Sequence, residues 1–216
     1  KFKTMRFITF LALALTCTLG ISQKKYNRVL TSLDAHKDHY ESVAQDIWSY
    51  AEMGYQEERS SLLLQKTLSE EGFTIEAGVA DIPTAFVATY GSGGPVIAIL
   101  GEYDALPGLS QQAVPYKLSH NGKAGHACGH PLFGTASAAA AIALKNYIEN
   151  EKISGTVKFY GCPAEEGGSG KVYMTRAGLF DDVDVALHWH ADSKNSASVR
   201  PALANKSAKF RFYGVS

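Results

Sequence analysis

The sequence predicts an α/β fold, a mixed sheet covered by helices, and three observations point to it. Apolar residues recur every three or four positions in some stretches and run almost unbroken in others. The unbroken runs are short and bounded by glycine or proline, as strands buried on both faces are. The two kinds of stretch follow one another in the order ααβββαβαβ, which suits strands layered against helices.

Each element has its own justification. Met5-Arg6 precedes an apolar run over residues 7–19, followed by the small residues Gly20 and Ser22. That pattern reads as a secretory signal peptide over residues 1–22, with the mature chain starting near Gln23 and residing in the periplasm or outside the cell. The run is shorter than the roughly 20 residues a spanning helix needs, so no membrane attachment is expected after cleavage. Cys17 lies inside it behind Thr16, a poor residue before a lipidated cysteine. Residues 37–52 carry Tyr40, Val43, Ile47, Trp48 and Ala51 on one helical face, stopped by Gly54. Residues 59–71 repeat the pattern through Leu64 and Leu68 and stop at Gly72. Extended runs are expected at 73–76, 85–90 and 96–100. An Ala-rich helix follows over 132–148, then a strand at 156–160, a helix at 170–177 and an apolar strand at 183–189. Residues 191–204 are small, polar and proline-containing, as linkers are. Residues 207–215 read as the first strand of a further unit, begun over 205–216. The chain starts on Lys and stops in mid-pattern, and it reads as a fragment.

Composition excludes several classes. Lys and Arg number 21 against 21 Asp and Glu, so no net charge marks a nucleic-acid binder or a basic membrane-surface protein. Hydrophobic residues at 45% and charged ones at 19% fit a globular core and not a disordered chain. Three cysteines do not make a disulfide framework.

The chemistry lies where open α/β sheets put their sites, after the C-terminal ends of strands. Glu102 and Asp104 follow the strand at 96–100 and point the same way if it continues through them. A solvated loop pair is the bland alternative. His126-Ala127-Cys128-Gly129-His130 precedes Pro131 and the Ala-rich helix, so Pro131 places His130 at a rigid helix entrance. Cys128 and His130, two apart, can face one metal, and the positive helix end would favour a Cys128 thiolate. A buried cysteine with two hydrogen-bonded histidines is the competing reading. Glu165-Glu166 follows the strand at 156–160; adjacent carboxylates diverge, so one can bind metal while the other faces a water. Cys162 fits a packed strand end better than a ligand. His188 and His190 sit on one face beyond the last strand, and either could ligate.

The segments GEYDALPGLSQQ, GHACGH, GTVKFYGCPAEEGGSGK and FDDVDVALHWH resemble the M20 metallopeptidases, in particular the amidohydrolase branch with HxCGH and its aminobenzoyl-glutamate utilization group. The likeness runs from Lys37 to Ser216. It implies a two-metal catalytic domain, residues 23–204 being its N-terminal part, interrupted by a smaller lid or dimerisation domain. It implies Cys128, His130, Glu166 and His190 as ligands of two divalent ions, Mn2+ or Zn2+, with Glu165 as general base. His188 matches the broader branch, and His190 the nearer group. Asp104 matches an aspartate that orients the site from behind the ligands. The implied substrate is an N-acyl amino acid of the p-aminobenzoyl-glutamate kind, cleaved at its amide bond. The implied assembly is a homodimer, or a pair with a homologous subunit, formed through the lid. Pro131 departs from the family's Asn or Asp and removes a hydrogen bond there; the family's last His ligand lies beyond Ser216. Dipeptidase or aminoacylase activity on other substrates is the near alternative. A cysteine hydrolase using Cys128 with His126 or His130 would leave Glu165-Glu166 unexplained, and a non-catalytic homologue would need neither Glu165 nor Cys128.

Overall fold

The computed structural model describes residues 23–120, 122–197 and 208–215. The signal segment expected over residues 1–22 and the second half of the linker expected over 191–204 lie outside them. A helix α1 over residues 23–35, which apolar spacing does not announce, leads into α2 (Lys37–Tyr50) and α3 (Glu58–Glu70). Then come β1 (Thr74–Ala77), β2 (Phe86–Ser92), β3 (Val96–Gly101), and the two-residue strands β4 (Leu106–Pro107) and β5 (Ala124–Gly125). Helix α4 (His130–Glu151), β6 (Gly155–Gly161), the single turn α5 (Glu165–Gly168), α6 (Gly170–Arg176) and β7 (Val185–Leu187) complete the order. Among the described residues no helix is long and apolar enough to cross a membrane.

The main sheet has the order β1-β2-β6-β3-β7 and is mixed. β1 and β2 are antiparallel, as are β2 and β6, whereas β3 runs parallel to both β6 and β7. Helix α4 is the crossover that makes β3 and β6 parallel neighbours. In register, Gly101 stands beside Gly161, so the two central strands end level with each other.

Alternation along these strands builds two cores. Phe86, Ala88, Ile99, Val157 and Phe159 face Val43, Ile47, Leu64, Leu68, Ala141 and Ile142 of α2, α3 and α4. Val87, Ala98, Leu100 and Tyr160 face Val79, Ile82 and Met174 on the other side. Both faces are therefore covered, which is why β2, β3 and β6 read as apolar runs.

Three expectations are corrected. α2 stops at Tyr50, with Ala51 in the left-handed region (φ 48°), before it reaches Gly54. Gly54 serves a close approach instead: a Cβ there would lie 3.0 Å from Ala164. The strand expected over 183–189 shortens to Val185–Leu187, because β7 pairs with β3 only across Ile97–Ile99 and then leaves the sheet. As an edge strand it keeps Val185 and Leu187 half exposed. Residues 208–215 form no strand; none of the described strands pairs with them, and an extended segment needs a neighbour to satisfy its backbone.

Candidate metal centre

Three parallel strand ends and one helix start supply the site. β3 runs into Glu102-Tyr103-Asp104, β6 into Cys162-Pro163-Ala164-Glu165-Glu166, and β7 into His188-Trp189-His190. The β4–β5 ladder brings the chain back so that residues 126–130 lie over those ends. Helix α4 begins at His130, with Gly129 before it at φ 89°. Its approach to β3 depends on Gly134, where a Cβ would stand 2.5 Å from the Glu102 carbonyl oxygen.

Glu102 and Asp104 do point the same way, and His130 lies between them. Tyr103 turns to the opposite side and donates its hydroxyl to the Thr84 carbonyl at 2.6 Å. His130 is fully buried, and its Nδ1 lies 2.9 Å from both the carbonyl oxygen and Oδ1 of Asp104. Two acceptors at one nitrogen place the proton on Nδ1 and turn Nε2 toward the site. Asp104 uses its other oxygen to accept the Glu166 backbone N–H at 2.8 Å. One carboxylate thus fixes both an imidazole and the α5 turn.

His130 Nε2 belongs to two groups of donor atoms, each spanning less than 4.8 Å: Cys128 with His190, and Glu102 with Glu165. Cys128 Sγ is 3.2 Å from His190 Nε2, and His190 Nδ1 is occupied by the Ala191 carbonyl at 2.9 Å. The Glu166 carboxylate also reaches Cys128. Cys128, His130, Glu166 and His190 are therefore brought together, with Glu165 and Asp104 beside them. His188 is elsewhere: its Nε2 lies 3.5 Å from Glu102 Oε1, and its ring packs edge-on against Phe133.

The buried polar atoms test whether a cation fits. Among the described residues, Glu102 Oε2, His130 Nε2 and Glu166 Oε1 are buried at this centre without a hydrogen-bond partner. Leaving each unmet costs about 1–3 kcal/mol, and all three are of kinds that can bind a metal ion. His130 Nε2 and Glu102 Oε2 stand only 3.0 Å apart without hydrogen-bond geometry. Donors sharing one ion at about 2.0–2.3 Å lie roughly that close. A divalent cation fits this donor set.

The electrostatics correct one expectation. The helix end does not make Cys128 a ready thiolate: burial, then Glu166, Glu165 and Glu102, push its thiol up to about 11. Carboxylates in contact outweigh a helix end, so ionisation of this thiol calls for a cation. Burial would lower His130, but Asp104 and Glu102 raise it to about 10. Glu165 is raised by burial first, then by the neighbouring Glu102 and Glu166 carboxylates. Burial opposes the charge on Glu102, yet the neighbouring His130, His188 and Lys171 hold its carboxyl well below the usual carboxylate range. His126 faces the Ile47 carbonyl at 3.1 Å and is lowered to about 4, chiefly by burial. Its Nε2 is spent on that carbonyl, while the Cys128 thiol meets His190, which tells against His126 as the base of a cysteine nucleophile. Cys162 is fully buried at its strand end, as expected.

Sequence reasoning did not single out two contributors. Glu57 is fully buried; it accepts the Ala164 N–H at 2.8 Å and the Thr84 hydroxyl at 2.9 Å. It thereby anchors Ala164, a left-handed non-glycine residue (φ 55°) that starts the turn carrying Glu165 and Glu166. Lys171 pairs with Glu102 Oε1. Glu102 itself was visible as half of a carboxylate pair, but nothing local told it apart from Asp104.

The chain is similar to known proteins in sequence and in fold. The chain is 47% identical over 196 residues to a subunit of the p-aminobenzoyl-glutamate hydrolase of Escherichia coli, covering 89% of this chain and 40% of that protein. It is 31% identical over 199 residues to the mouse Xaa-Arg dipeptidase, covering 87% and 42%. The chain thus spans about two-fifths of the length of these relatives. The crystal structure of the Bacillus subtilis YXEP protein, described as a dinuclear metal-binding peptidase of the M20 family, superposes with a TM-score of 0.62 at 28% identity, over 72% of this chain and 43% of that one. An aminobenzoyl-glutamate utilization protein from Klebsiella pneumoniae shares the fold, with a TM-score of 0.53 at 20% identity over 74% and 45%. The model of peptidase family M20/M25/M40 matches residues 98–209, from the middle of β3 past His190. That match takes in more than half of the sequence and every residue of the centre except Glu57, and the chain belongs to peptidase family M20/M25/M40.

Proposed function

We propose that the protein is a metal-dependent amidohydrolase that cleaves the amide bond of an N-acyl amino acid of the p-aminobenzoyl-glutamate kind. The observation that carries this is the set of buried polar atoms able to bind metal, gathered from two strand ends and a helix start and left without hydrogen-bond partners among the described residues. The 47% identical relative supports the substrate class, and a relative described as a dinuclear peptidase supports two ions.

Cys128, His130, Glu166 and His190 would hold metal. An Mn2+ or Zn2+ ion held there would supply Lewis acidity for the amide carbonyl and for a water. Glu165, with a half-exposed side chain 3.9 Å from His130 Nε2, takes the water's proton and passes it to the leaving nitrogen. A carboxyl raised above its ordinary value is better matched to that exchange than a free one. Asp104 keeps the His130 lone pair on Nε2, and Glu57 keeps the Glu165–Glu166 turn in place. The Escherichia coli relative is one subunit of its hydrolase, which supports pairing with a second, homologous subunit, or with another copy.

The test is release of p-aminobenzoate from p-aminobenzoyl-glutamate by the metal-loaded protein, with and without a chelator. Activity that a chelator abolishes and Mn2+ or Zn2+ restores is expected. Turnover of Xaa-Arg dipeptides in its place would move the assignment to a dipeptidase, and chelator-insensitive turnover would end the metal reading.

A further inference from the structure

Glu165 is the proposed proton carrier, yet no hydrogen bond among the described residues holds its carboxylate, which lies 3.9 Å from His130 Nε2. Its direction is therefore set by its backbone, the single turn α5. Neighbouring segments grip that turn along its length. Glu57 accepts the Ala164 N–H at its start, and Asp104 accepts the Glu166 N–H in its middle. The far end is reached by Tyr55, whose hydroxyl donates to the Gly168 carbonyl at 2.5 Å.

Tyr55 and Glu57 belong to one short connector between α2 and α3, and that connector meets the turn throughout. Gly54 lies against Ala164. A Cβ on Gly168 would stand 2.7 Å from Cε2 of Tyr55, so ring and turn touch with no room between them. The connector is itself fastened to the strand end that carries Asp104. The Ala105 N–H donates to the Glu52 carbonyl at 2.8 Å, and Met53 forms an isolated parallel bridge with Ala105. Through the connector, the turn that bears Glu165 is thus placed relative to Asp104, which orients His130.

The contact also stores strain. Tyr55 (φ 65°), Ala164 (φ 55°) and Ser169 (φ 57°) are left-handed, and none is glycine. Such conformations persist only where their surroundings over-determine them. Their gathering at one contact means that the turn would relax elsewhere if the grip were loosened. We propose that Tyr55 is a positioning residue, which by holding the Gly168 carbonyl keeps the α5 turn, and with it the Glu165 carboxylate, aimed at the reacting water. The proposal rests on the reading of Glu165 as general base. Tyr55 is half exposed, so water can replace its hydroxyl and the bond adds little to global stability. Its effect lies in the aim: a misplacement of about 1 Å can cost about 100-fold in rate.

Tyr55→Phe keeps the ring and removes the hydroxyl. Steady-state rates should show kcat about tenfold lower with KM changed less than about twofold. Denaturant unfolding and Mn2+ titration should match the native protein. Amide exchange in the metal-free protein should quicken at Gly168, whose N–H donates to the Ala164 carbonyl at 3.0 Å, and stay as it was in β6. Tyr55→Ala, which removes the ring as well, should exceed Tyr55→Phe in both effects. Unchanged exchange at Gly168 in both variants would overturn the grip. Quickened exchange with kcat unchanged would overturn the positioning role. A raised KM with kcat unchanged would make Tyr55 a substrate contact and overturn it too. Glu165→Gln separates this from the reading beneath it: turnover that survives that change removes Glu165 as the base, while exchange at Gly168 still decides whether Tyr55 holds the turn.

Discussion

The parallel strands β3 and β6 have two ends, and the ends differ in how completely their polar atoms are paired. At the N-terminal end the Val96 N–H donates to Asp184 Oδ2 at 2.8 Å, and the Asp184 N–H returns to the Val96 carbonyl at 3.0 Å. There Thr156 donates its N–H to Pro95 and its hydroxyl to Gly93. At the C-terminal end Glu102, His130 and Glu166 each keep a buried atom that no described residue satisfies. The same two strands, ending level, thus make a closed joint at one end and an open set of donors at the other. Incomplete pairing, rather than the mere presence of charge, marks the working end.

Substitutions can break or sharpen this contrast. The largest effect is expected at the open end from Glu165→Gln: turnover should fall by about 10²–10⁴-fold with metal content unchanged, since a proton carrier and no ligand is removed. Metal analysis with steady-state rates checks it, and loss of metal would reverse the roles given to Glu165 and Glu166. Next comes Asp104→Ala, which frees the His130 ring and should weaken metal binding by about 10–100-fold in a direct titration. Glu57→Ala leaves the Ala164 N–H and the Thr84 hydroxyl unpaired in the interior, and should cost about 1–3 kcal/mol in denaturant unfolding. The smallest change is expected at the closed end. Asp184→Ala should cost no more than about 1 kcal/mol, because the freed N–H lies near water, and should leave metal binding as it was. A metal-binding defect there equal to that of Asp104→Ala would erase the distinction between the ends.

The sheet and its helices were legible because the central strands β2, β3 and β6 bury both faces and each long helix buries one. Phe86, Val87, Ile99 and Phe159 could hardly read as anything else. The His130 entrance and the Asp104 direction were also legible, since proline before an Ala-rich run and a two-residue spacing are local signals. What escaped depends on distant partners. Glu57 meets Ala164 across 107 residues and Lys171 meets Glu102 across 69, and neither pairing leaves a trace in its neighbours. The upward push on the Cys128 thiol escaped for the same reason: the helix end is adjacent in sequence, whereas the packing that buries the thiol and the opposing Glu166 are not. Helix α1 is held partly by Lys25 and Arg28 on Glu151, near the far end of α4, a contact apolar periodicity does not register.

The meeting of Cys128 with His190 has a consequence for the order in which the molecule is assembled. The two residues are 62 positions apart, and 62 also separate Asp104 from Glu166. Such non-local contacts must meet their loop-closure entropy before they stabilise anything, whereas the contacts within α4 are local, so His130 can stand at the helix tip before its partners arrive. β7 docks on β3 through only three residue pairs, yet it carries the last imidazole into place. Metal taken up at Cys128 and His190 would therefore act as a late clasp, fastening the weakest strand of the sheet to its longest helix. The metal-free protein should lose β7 first, and amide exchange at Val185, Ala186 and Leu187 should slow when the ion binds.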